Sequence, residues 1–138
     1  MLKYSIVNIN RSSLVEQVAS HMEVGAELSF AYLSPSAGSI VRVHEFDHDS
    51  VYEWLSRSGH LEMIPNLPSQ DLYLWMVDFT ENETRGTLQK KLLRSLTGVS
   101  AVWKFRNVLY HEDDAALRWE RFKRKKLVET ARAWFEAV

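Results

Sequence analysis

Two histidines four residues apart, His44 and His48, stand among Asp47 and Asp49, the first group in the 138-residue chain whose residue types could do chemistry. On a helix that spacing sets two imidazoles on one face, which is how zinc sites begin. Here the pair straddles the end of a strand and the start of a helix, where positions i and i+4 do not converge. A solvated acidic loop accounts for it, and no metal site is expected. The carboxylate pairs Asp47/Asp49 and Asp113/Asp114 have the composition of general acid–base partners. Both pairs, however, fall where helix N-termini draw acids. No Gly-x-Ser-x-Gly elbow occurs, and Gly25, Gly38, Gly59, Gly86 and Gly98 are too dispersed for a phosphate loop. His21, His60 and His111 have no neighbours that suggest a triad. The chain has no cysteine, which removes thiol nucleophiles, disulfides and cysteine-ligated metals. No catalytic residue is assigned and no cofactor is expected. A small hydrolase or transferase using His44, His48 and the nearby acids remains the alternative from the enzyme class.

The segment from Arg118 to Lys126 has a different chemistry. It carries six basic residues against one acid, with Trp119 and Phe122 interleaved. At 100° per residue Arg118, Arg121, Lys125 and Lys126 share a broad face, opposite a stripe of Leu127, Ala131 and Trp134. Lys104 and Arg106, with Arg85, Lys90, Lys91 and Arg94, extend the basic character upstream, and no acid lies between Thr84 and Tyr110. Such a face suits phosphates, and exposed aromatics beside it would stack on bases. An amphipathic helix with a solvated basic face and two core aromatics explains the same residues. Arg118, Arg121, Lys125, Lys126, Arg106 and Lys104 are therefore the candidate partner-binding residues.

Net charge is −1, but residues 1–83 hold 4 basic and 12 acidic residues whereas residues 84–138 hold 13 and 6. The halves thus carry −8 and +7. Opposite halves can attract within one fold, or the basic half can serve a partner.

The elements that must position these groups follow from periodicity. Tyr4–Ile9 alternates as a short strand. Ser13 and Glu16 have capping-box spacing ahead of Leu14, Val18 and Met22, which predicts a helix to about Met22. Glu27–Leu33 and Ser39–Phe46 form a hairpin around Ser34–Gly38, with Leu28, Phe30 and Tyr32 alternating on one face. Asp49 or Ser50 caps a short helix to about Ser58, and Leu61–Ile64 is a strand ended by Pro65. Ser69 opens a helix with Leu72, Trp75, Met76 and Phe79 on one stripe. From Thr84 the chain reads as helical throughout. Leu88, Leu92, Leu93 and Leu96 form a stripe broken at Gly98. Ser100 caps a helix with Val102, Phe105, Val108 and Leu109. A last helix opens with Glu112, Asp113 and Asp114 and carries Leu127, Ala131, Trp134 and Phe135, with Trp134 expected in the core. Trp119 and Phe122 fall outside that stripe, so this helix must be covered on more than one side.

Met76 and Phe79, then Gly98, Ala101, Lys104, Phe105, Arg106 and Leu109, then Trp119, Phe122, Lys123, Leu127, Glu129, Ala131 and Trp134 resemble the bacterial uncharacterised protein family 0158. Tyr32-Leu33 and the turn at Gly38 are similar to its early hairpin. The resemblance covers residues 26–138 and is densest over 76–138. Val99 and Ser100 stand where the family has a basic residue and a glycine, Val102 replaces an aromatic, and Trp103 replaces a basic residue. The resemblance implies a small bacterial α+β protein and no activity.

Residue content is ordinary for a globular chain, 46% hydrophobic and 25% charged. Near the start, Lys3 precedes no apolar stretch of signal-peptide length, and the longest apolar run, Leu72–Val77, is far short of a membrane span. The expectation is a cytoplasmic single domain over 1–138, α+β, with a small antiparallel sheet from the N-terminal half packed on a mainly helical C-terminal half. Its expected function is that of a non-enzymatic binding or regulatory module. It would act through a protein partner or self-association, or else bind nucleic acid through the basic helices. No membrane role is expected.

Overall fold

The computed structural model describes residues 4–8, 13–23, 29–34, 38–44 and 61–138. The fold is α+β. Strands β1 (Tyr4–Asn8), β2 (Ser29–Ser34), β3 (Ser39–His44) and β4 (Glu62–Met63) form an antiparallel sheet in the order β1-β3-β2-β4. Helix α1 (Leu14–Glu23) lies between β1 and β2 in the chain. Four helices follow the sheet: α2 (Ser69–Glu83), α3 (Gly86–Ser95), α4 (Ala101–Tyr110) and α5 (Ala115–Ala137). The short helix expected over 50–58 lies outside the described residues.

The chain forms two compact units, Met1–Asn66 with Leu127–Val138, and Leu67–Lys126. In the first, β2 and β3 pair from Ser29↔His44 to Ser34↔Ser39, and the turn closes on Gly38, whose φ of +63° is open to glycine without steric cost. The N–H of Gly38 donates to the Ser34 carbonyl at 2.9 Å. Burial on β2 is complete at Leu33 and near-complete at Ala31, while Tyr32 is half-buried. Leu33 sits across from Ile40, also buried, so that face has matched apolar partners. Helix α1 buries Leu14, Val18, Ala19 and Met22, the i, i+4, i+5, i+8 stripe of an amphipathic helix. Ile64, Leu127 and Ala131 are also buried in this unit.

The second unit is a helical core. Met76 and Phe79 of α2, Leu92 and Leu96 at the end of α3, Phe105 and Leu109 of α4, and Ala115 and Trp119 of α5 are all buried together. Their centre is aromatic: Phe79 meets Trp119 at 5.4 Å, Phe105 at 6.4 Å and Phe122 at 5.4 Å, all edge-to-face. Phe105 also meets Trp119 edge-on at 5.1 Å. Rings set this way place the positive edge of one on the negative face of the next, contributing about 0.5–1.5 kcal/mol per pair beyond area burial.

Three sequence expectations are corrected. Trp134 is half-buried, and Trp119, at 4% exposure, is the core tryptophan. The reason lies in α5, which belongs to one unit through Lys126 and to the other from Leu127. Its two apolar stripes serve separate cores. Ser100 precedes α4 but makes no side-chain cap bond, because its backbone is left-handed, φ +61°. Leu93 and Val102, each given to an inward stripe, are exposed.

Candidate functional site

Helices whose last carbonyls have no internal partner must find donors elsewhere, and in the helical unit several basic residues do this work. The Lys104 amine donates to the Thr97 carbonyl at 2.5 Å, just past the end of α3. The same end is held by the Tyr73 hydroxyl on the Leu96 carbonyl at 2.8 Å and the Ser95 hydroxyl on the Leu92 carbonyl at 2.6 Å. The guanidinium of Arg118 donates to the Glu83 carbonyl at the end of α2. Gln89 supports that end through the carbonyls of Thr80 and Thr84, at 3.1 and 3.0 Å. Positive charge at these ends is also favoured by the helix dipole.

Lys126 is committed in another way. It pairs with Asp78 of α2 at 3.2 Å and lies 5.5 Å from the centre of the Phe122 ring. The Asp78 carboxyl is held below its ordinary value, first by the 2.7 Å hydrogen bond from Asn82; burial opposes this, and the hydrogen bond and charge of Lys126 add to the lowering. Lys91 pairs with Glu112 at 2.9 Å and Lys123 with Glu120 at 3.2 Å.

Of the six candidate partner-binding residues, then, Lys104, Arg118 and Lys126 hold the fold. Arg106, Arg121 and Lys125 are exposed and form no hydrogen bond or ion pair among the described residues. The aromatics of the basic segment are not beside them as stacking surfaces: Trp119 is buried and Phe122 packs against the same core. His48, Asp47 and Asp49 lie outside the described residues, and of His44 the backbone alone is described, at the end of β3. Among the described residues no group of three or more His, Asp or Glu could hold a metal ion, and no helix is long and apolar enough to cross a membrane.

A different group comes together on α4. Trp103 is 69% exposed and Tyr110 is 70% exposed. They are seven residues apart, two helical turns, with Arg106 between them, so the three side chains fall on one face. That face flanks the Phe105–Leu109 stripe that enters the core, and exposed Val102 borders it. Arg106 and Tyr110 line two adjoining depressions. One is a groove shared with Ser100, Val102, Trp103 and Asn107. The other is a cleft of about 280 Å³ against α5, lined also by Leu109, Ala116, Leu117, Trp119 and Glu120.

Sequence reasoning passed over Trp103 and Tyr110. The signal was present: once Phe105, Val108 and Leu109 take the inward stripe, Trp103 and Tyr110 are apolar residues left on the outward side. A helix with one buried face and a second aromatic face departs from the ordinary polar exterior. In comparisons with known proteins, no family model matches the chain, and no curated protein or solved structure matches it.

Proposed function

We propose that this chain is a non-enzymatic binding module that recognises protein through the exposed α4 face of Trp103, Arg106 and Tyr110. The observation that carries the reading is the exposure of two large aromatics on one helix face with an uncommitted arginine between them. Trp, Tyr and Arg are the residue types that dominate binding energy at protein interfaces, because each combines a large contact area with a polar handle. The cysteine-free composition suits a reducing, cytoplasmic setting.

Nucleic acid is the second reading, since an exposed Trp and Tyr flanking an arginine can also stack bases, with Arg121 and Lys125 for phosphates. Protein is favoured for two reasons. Half of the candidate cations are tied to helix ends or to Asp78, which leaves few phosphate contacts. The cleft beside Arg106 also contains the Glu120 carboxylate, which repels phosphate.

Selection from a displayed random-peptide library tests the reading. The expected ligands bind the wild-type chain, lose binding to Trp103→Ala and Tyr110→Ala, and keep it with Arg121→Ala/Lys125→Ala. Both aromatics are exposed, so their removal should change folding stability by no more than about 0.5 kcal/mol. A labelled random oligonucleotide at about 50 and 200 mM salt, where phosphate contacts reveal themselves, should not bind. Salt-dependent oligonucleotide binding abolished by Arg121→Ala/Lys125→Ala, with no peptide selected, would overturn the proposal.

A further inference from the structure

We infer that the cleft between α4 and α5 is a seat for an indole ring, filled by Trp103 of a second copy of this chain in a two-fold dimer. The inference rests on the reading of the α4 face as a protein-docking surface and names its occupant.

Size comes first. An apolar cavity of about 150 Å³ takes one benzene ring, so the 280 Å³ of this cleft has room for a fused pair of rings. The lining suits an indole in kind as well. Leu109 and Trp119 are buried at its base, and Ala116 keeps one wall low. Tyr110 offers a ring for offset or edge contact, and Arg106 a cation for the face of the incoming π system. An indole has one polar group, an N–H donor, and the cleft has one carboxylate, Glu120, to accept it. The contact of Glu120 with Lys123 at 3.2 Å leaves acceptor capacity, because a carboxylate has about four lone-pair sites.

The occupant follows from what the same surface projects. Trp103 stands on α4 beside the cleft, and Arg106 and Tyr110 border both its groove and the cleft. A protruding indole and a vacant seat lying side by side are what a two-fold interface requires, since each copy then offers its tryptophan to the other's cleft. Charge agrees with this arrangement. The face carries one uncommitted cation, Arg106, and one cleft carboxylate, Glu120, so two copies set Arg106 against Glu120 of the partner subunit.

Sedimentation velocity on the intact chain, between about 1 and 100 μM, spans a micromolar dissociation constant. The wild type should dimerise. A buried hot-spot tryptophan accounts for at least about 30-fold in affinity per contact. Trp103→Ala, which loses both contacts, should weaken the dimer by about 1,000-fold. Leu117→Arg, which spoils the cleft from an exposed rim position, should do the same.

Mixing the two variants is the decisive step. One supplies an intact cleft and the other an intact tryptophan, so the mixed pair keeps one contact and should associate about 30-fold more tightly than either variant alone. If Leu117→Arg fails to fold, Leu117→Trp fills the cleft from its own chain and replaces it. A monomeric wild type, a dimer indifferent to Trp103→Ala, or a mixture no tighter than its components would each overturn the inference. A monomeric wild type that still binds selected peptides through Trp103 and Tyr110 would refute the occupant alone. Failure of both assays would refute the docking surface as well.

Discussion

Replacing Trp119 by alanine tests the account of the helical unit where its consequences are largest. The side chain is 4% exposed and its ring meets Phe79, Phe105 and Phe122 at centroid distances of 5.4, 5.1 and 6.0 Å. A buried tryptophan removes about 150–250 Å² from water, which at about 25 cal/mol per Å² gives about 4–6 kcal/mol. Residual burial in the unfolded chain lowers that to about 3–5 kcal/mol, the range seen for large aromatic-to-alanine changes in cores. The loss of three ring contacts places Trp119→Ala at the upper end. For a chain of this size that corresponds to a fall in Tm on the order of 15 °C. Trp134→Ala, at a half-buried position, should cost about half as much or less. Chemical denaturation of both variants, followed by circular dichroism, gives the comparison. If Trp134→Ala is as damaging as Trp119→Ala, the assignment of the core tryptophan is wrong.

Four local features each set an expected outcome. The Asp78 carboxyl is held low in the folded chain, so its contribution to stability is fully present above the ordinary carboxylate value of about 4 and disappears as pH falls through the lower folded value. The stability gap between wild type and Asp78→Asn, small for a half-exposed pair, should therefore close between about pH 6 and pH 2; a gap that widens would reverse the sign. Gly98, at φ +78°, has only the Lys104 amine near the position of an added Cβ, at 3.7 Å, so Gly98→Ala should cost about 1–2 kcal/mol through backbone strain alone. Ser100→Gly, at φ +61°, should be neutral or gain up to about 1 kcal/mol, and thermal melts of the two variants check both signs. Among the described residues the Ser34 and Ser39 hydroxyls are buried without a hydrogen-bond partner, so Ser39→Ala should raise stability by about 1 kcal/mol, measured by denaturant midpoint.

The elements with strong periodicity or distinct turn chemistry were legible in the sequence. Helix α1 begins one residue after Ser13, and the hairpin turns at Gly38, whose glycine has the positive φ that turn requires. The α+β class and the helical second half were legible for the same reason. What was not legible depended on information beyond the period. Apolar spacing shows that α5 is covered on more than one side, as the buried Trp119 is, but not how deeply each stripe enters its unit, and Trp134, expected in the core, is half-buried. Capping preference alone does not reveal a left-handed backbone, so Ser100 was read as an N-cap. For the candidate site, composition revealed the basic residues but not their work. That Lys104 and Arg118 close helix ends depends on which carbonyls lie within reach in three dimensions. Trp103 and Tyr110 were hidden because apolar residues on a helix are first assigned to its core.

Amide chemical-shift mapping of a library-selected peptide on the intact chain shows whether α4 docks protein through Trp103, Arg106 and Tyr110. The account predicts that the perturbed amides cluster from Ser100 to Tyr110 and continue into the first turn of α5 around Leu117, leaving the amides of Lys90 and Arg94 unmoved. Perturbations centred on α3 and on Arg121–Lys125, with Trp103 and Tyr110 silent, would contradict it.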